Sequence, residues 1–171
     1  ISAKPASGVD LTAVRKQIND NLVKAEESFK KAISLYNNFG QALYNLAVVY
    51  DRQGKLPDAI KQFEKLRAAN PRDPSIAFQI GLLYYRNNQK DSAFTAWQQA
   101  VLLFPNYSNA RWYLSLAYEE RGDLDSALKQ VQEIEKSNPN NELVKARLTL
   151  LSTGKRTIPP DKVLDKQPLD Q

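Results

Sequence analysis

Cysteine, histidine and methionine are all absent from the 171 residues. The first two absences remove disulfides, thiolate nucleophiles, zinc held by Cys or His ligands and imidazole acid–base chemistry together. Glycine is scarce, with six residues, and no Gly-rich phosphate loop is present. Nowhere does an apolar run approach the roughly 18 residues of a membrane-spanning helix. The first residues, "ISAKPASGVD", hold neither a starting Met nor the apolar stretch of a secretory signal. These features point to a fragment of a longer polypeptide or a processed form.

What is present fits a folded globular chain: 42% hydrophobic and 25% charged residues. The formal net charge is +5, but it is spread thinly. Residues 1–39, 40–73, 74–107, 108–141 and 142–171 carry +2, +2, +1, −2 and +2 in turn. A nucleic-acid footprint would gather Lys and Arg on one face, so a solvated surface is the better reading and no nucleic-acid partner is expected.

Aligning Pro71, Pro105 and Pro139 sets a period of 34 residues and three blocks, 40–73, 74–107 and 108–141. Column seven holds Leu46, Ile80 and Leu114, and column eight is small with Ala47, Gly81 and Ser115. Column eleven is Tyr50, Tyr84 and Tyr118; column twenty is Ala59, Ala93 and Ala127; column twenty-four is bulky with Phe63, Trp97 and Val131. Within each block the apolar residues recur at spacings of three and four, which makes one stripe on each of two helices. Gly54 and Gly122 stand where the first helix should stop, with Asn88 at the same column in the middle block. Asp73–Pro74 reads as an N-cap and first-turn pair. The small residues of columns eight and twenty let two helices approach, which predicts Gly81 facing Ala93 and Trp97 buried between the helices.

This pattern resembles the tetratricopeptide repeat, a 34-residue helix–turn–helix unit. The resemblance implies an all-α fold, a right-handed superhelical α-solenoid with flanking helices. It assigns residues 1–9 to a flexible N-terminus and 10–39 to a long helix or degenerate first repeat, the single helix being favoured. Three repeats follow over 40–73, 74–107 and 108–141. Residues 142–154 form a capping helix, capped by Asn141 and ended by Gly154, because each repeat buries its face only against its neighbours. Residues 155–171, rich in proline and charge, form an extended or disordered tail.

In that family the first helix of each unit lines a concave groove, so the resemblance also nominates site residues. Column five gives Tyr44, Phe78 and Trp112, and column nine gives Val48, Leu82 and Leu116, one helical turn away. Column six adds Asn45, Gln79 and Tyr113 as polar groups for a peptide backbone, and Tyr85, Arg52 and Arg86 complete the lining. Trp112 is expected to stand at least partly exposed, whereas Phe78 has a second reading as core. Family members that clamp chaperone C-termini use Lys, Asn and Arg where this chain has Tyr44, Val48, Gln79, Asn109 and Tyr113, so that specificity is not implied.

The function expected is a non-catalytic binding module for a protein or peptide, with no cofactor, metal or small-molecule substrate. Adjacent carboxylates such as Glu119–Glu120 point apart on a helix and serve as solvated surface. The alternative is a structural or assembly domain of a larger bacterial membrane or envelope protein. Its groove would then be filled by a dimer mate or by the chain's own tail through Ile158, Val163 and Leu164. The compartment stays open between cytoplasm and an envelope-tethered site, and both a homo-oligomer and a tether outside these residues are compatible with the sequence.

Overall fold

A computed structural model describes residues 10–36 and 39–156. The expected flexible N-terminus and the tail from residue 157 lie outside the described residues. Within them the fold is all-α: eight helices and no strand. The chain divides into two compact units, residues 1–69 and 70–171.

The first unit holds α1 (Leu11–Leu35), α2 (Gly40–Arg52) and α3 (Leu56–Ala69). Asp10 caps α1 by accepting from the Thr12 and Ala13 amides, which satisfies two of the four orphan donors at a helix start. The "NDN" at residues 19–21 does not break this helix: Asn and Asp cost up to about 0.7 kcal/mol each, less than the Gly or Pro that ends a helix. α2 buries Ala42, Leu43, Leu46, Ala47, Val49 and Tyr50, a three–four stripe broad enough to meet α3 and α1 on its two sides. α3 answers with Ala59, Ile60, Phe63 and Leu66. α1 contributes no fully buried residue; its half-buried face is Leu22, Ala25, Phe29, Ala32 and Ile33. Glu26 accepts from Lys30 at 2.6 Å and from Lys55 at 3.2 Å, tying α1 to the turn before α3.

The second unit holds α4 (Pro74–Arg86), α5 (Lys90–Leu103), α6 (Ser108–Glu120), α7 (Leu124–Ser137) and α8 (Glu142–Ser152). Asp73 caps α4 through the Ser75 and Ile76 amides with Pro74 in the first turn, and Asn141 caps α8 the same way through Leu143 and Val144. The hairpin turns reverse at positive φ: Gly54 at 74°, Asn88 at 59° and Gly122 at 80°. Asn is the side-chain-bearing residue that best tolerates this region, so its replacement of glycine leaves the turn unchanged.

The second unit's core runs through Trp97, which is 1% exposed. Its indole lies over Gly81, so that a Cβ built there would stand 2.3 Å from the Trp97 Nε1 and 2.4 Å from its Cδ1. The close approach that column eight permits is therefore to the Trp97 ring. Ala93, the partner expected from the column pattern, is fully buried beside it. The repeat-equivalent pairs are Ala47 with Phe63 and Ser115 with Val131. The smallest residue of column eight thus meets the largest of column twenty-four.

Candidate functional site

The twelve groove residues fall into three kinds of position. On α2, the Tyr44 ring meets Phe63 edge-on at 5.4 Å yet remains 38% exposed. Asn45 accepts from the Gln41 amide at 3.1 Å, Val48 is half-buried and Arg52 is exposed. On α4, Gln79, Leu82 and Tyr85 are half-buried and Arg86 is exposed.

Phe78, Trp112, Tyr113 and Leu116 are the third kind, and here the expected aromatic wall is corrected. All four are buried. Tyr113 turns back along the chain, with its ring 5.6 Å from Phe78 and 5.2 Å from Trp97; Phe78 is also 5.2 Å from Tyr107. Trp112, expected on an open surface, is 7% exposed because α8 lays the Arg147 guanidinium 5.1 Å from its ring centre. In the second unit the aromatic ladder is packing between successive helices.

Arg147 is the residue that sequence reasoning missed. Its Nε and Nη2 donate to the Ser115 hydroxyl at 3.2 and 3.0 Å, and Nη2 also donates to the Glu119 carboxylate at 2.7 Å. Both charged side chains are almost wholly buried, which corrects the expectation that Glu119 serves as solvated surface. Burial pushes the Arg147 guanidinium below its usual range and Glu119 opposes that shift; a planar fork with a carboxylate, a hydroxyl and a ring face around it can hold its charge out of water. The signal was present: Val144, Arg147 and Leu151 share the three–four spacing of a buried stripe.

One open part of the second unit is a recess of about 370 Å³ lined by Tyr85, Lys90, Asp91, Ala117, Glu120 and Arg121. The Tyr85 hydroxyl donates to Glu120 at 2.6 Å, and Lys90 Nζ lies 3.4 Å from the other Glu120 oxygen and 5.6 Å from the Tyr85 ring centre. Arg121 pairs with the exposed Asp91 at 2.5 Å and stacks on Phe94 at 3.7 Å. Burial first, and Glu120 second, raise the Tyr85 hydroxyl above its ordinary range, so it remains a proton donor. Two cations and two anions leave the recess neutral, with donors and acceptors over an Ala117 floor. That chemistry suits hydrogen bonding to a polar backbone or side chain. Among the described residues, no helix is long and apolar enough to cross a membrane.

The sequence matches the tetratricopeptide repeat in two stretches, residues 18–79 and 78–142. A curated relative, the Photosystem I assembly protein Ycf3 of Prochlorococcus marinus (strain MIT 9301), is 29% identical over 106 residues, covering 52% of this chain and 61% of that protein. The chain thus spans less than two thirds of the relatives of that name. Among solved structures, MamA superposes with a TM-score of 0.69 at 22% identity, covering 86% of each chain. YrrB, described as a TPR protein with an unusual peptide-binding site, superposes with a TM-score of 0.65 at 23% identity, covering 82% of this chain and 72% of its own.

Proposed function

The chain belongs to the tetratricopeptide repeat family, and on that footing we propose that it is a non-catalytic module that holds an extended peptide or partner segment against the first helices of its repeats. The observation that carries this reading is the open strip on α4. Gln79, Leu82 and Arg86 lie about one turn apart on one side of that helix and lead to Tyr85 and the recess, whereas on α6 the equivalents Tyr113 and Leu116 are buried and Glu120 lines the recess. Leu82 supplies apolar contact, Gln79 a backbone partner, and the recess accepts one polar side chain. On the first unit, taken by itself, the partly open Tyr44 ring on α2 is a separate candidate contact. A peptide-binding site in the similarly folded YrrB supports the reading.

The test is to pan a random peptide display library on the chain and titrate the strongest binders against variants. Leu82→Glu should weaken binding by about 2 kcal/mol, the loss expected of a central contact, and Tyr85→Phe, which keeps the ring but leaves Glu120 to Lys90 alone of the two, should weaken it by less. Binding unchanged by Leu82→Glu, Tyr85→Phe and Tyr44→Ala would dismiss the reading. A second reading, an assembly domain of a larger protein tethered at a bacterial envelope, draws support from the relatives named as assembly proteins. Its self-docking form rests on Ile158, Val163 and Leu164, which lie outside the described residues.

A further inference from the structure

α1 is 25 residues long, whereas the helix it packs on, α2, has 13. Every residue from 11 to 21 is exposed. Yet Leu11, Val14 and Ile18, at 66%, 38% and 55% exposure, follow the three–four spacing that continues into Leu22, Ala25 and Phe29. The stripe is one; its C-terminal part is covered by α2, and its N-terminal part, about 17 Å of helix, carries an apolar face with no packing partner among the described residues.

We propose that this projecting part of α1 pairs with the same part of α1 in a second copy of the chain, the two helices running antiparallel. Two observations select that occupant and direction. First, the free stripe is continuous with the stripe under α2. A parallel partner would carry its own α1 and α2 into the space that α2 already fills, whereas antiparallel overlap of residues 11–22 places the two α2–α3 hairpins at opposite ends. Second, Asp10, Gln17 and Lys24 recur at seven-residue spacing along one edge of the stripe. In an antiparallel pair the same edge of each helix meets itself. With the two Gln17 residues at the two-fold axis, Asp10 of each copy lies opposite Lys24 of the other, so both ends of the contact are charge-complementary. An interface of two helix segments this short falls at the low end of specific contacts, so the pair forms in a concentration-dependent way.

Sedimentation equilibrium of the whole chain from micromolar to millimolar concentration should show the mass rising from one chain towards two. Ile18→Glu should return it to one, with unchanged far-ultraviolet circular dichroism because the residue is exposed. Lys24→Glu, which sets Glu against Asp10, should weaken association at low salt. Because the chain has no cysteine, single spin labels at Gln17→Cys and Ser28→Cys report direction. Antiparallel pairing puts the labels of the two copies near each other at position 17 and about 30 Å further apart at position 28. A single-chain mass throughout, association indifferent to Ile18→Glu, or equal label distances at the two positions would each overturn the proposal.

Discussion

Gly81 carries a constraint that its neighbours on α4 do not. In an exposed helix interior, replacing glycine by alanine gains about 1 kcal/mol from propensity. Here the added methyl would enter the Trp97 ring, at 2.3 and 2.4 Å from two of its atoms, and overpacking typically costs about 1–3 kcal/mol. Gly81→Ala should therefore lower the melting temperature despite its better propensity, and Trp97→Phe in the same chain should recover part of the loss. The Trp97 Nε1 has no hydrogen-bond partner among the described residues, so phenylalanine strands no additional polar atom. A Gly81→Ala protein that melts above its parent would remove the close contact. The columns made Gly81 readable as a small position and Trp97 as a buried one. They named Ala93, fully buried on α5, as the facing residue, but gave no sign that the Trp97 indole is what lies nearest Gly81, because the reach of an indole is not written in an alignment. The exposure expected of Trp112 failed because column five is open or closed according to what the following helix places over it.

At the scale of helices, two ion pairs fix the flanking elements to the repeats. α8 is held to α6 by Arg147 between Ser115, Glu119 and Trp112. Removing one member of a buried pair leaves an uncompensated charge and costs about 3–5 kcal/mol, whereas replacing both by apolar residues is often neutral. Denaturant titrations should show Arg147→Met and Glu119→Leu each strongly destabilising and the double variant far less than their sum; additive losses would mean that the pair does not act as a unit. The cap itself was legible from Asn141 and Gly154. Its lock was not, because an arginine on an apolar stripe commonly reaches out to water. At the other end, hydrogen bonds from Lys30, Gln53 and Lys55, that of Lys30 the largest, hold the Glu26 carboxyl down at about 2 against a usual value of 4.5. A depressed carboxylate stabilises the fold above its unfolded value and loses that contribution as the pH falls towards its folded value. The attachment of α1 should weaken as pH falls from about 4.5 to about 2. Glu26→Gln should flatten this pH dependence in thermal melts; a wild-type slope retained in that variant would assign the acid sensitivity elsewhere.

For the molecule as a whole, the 34-residue period was legible because each repeat restates the same packing problem, and Asn88 passed for glycine because both accept a positive φ. The division after Ala69 was not legible, since the period runs through it without a gap. Within each unit, helices pack on those one or two places away along the chain, from α1 on α2 to α8 on α7 and α6. That proximity has a kinetic consequence. Few long loops must close before contacts reward the chain, and helical folds with local contacts form in about microseconds to milliseconds. Refolding after an unfolding pulse too brief for the chain's prolines to isomerise, followed by Trp97 and Trp112 fluorescence, should be largely complete within the dead time of a stopped-flow mixer. Neither tryptophan waits for a distant segment, since the rings and guanidinium that enclose them come from the same run of helices, α4 to α8. A dominant phase lasting seconds would mean that nucleation depends on a contact between remote parts of the chain.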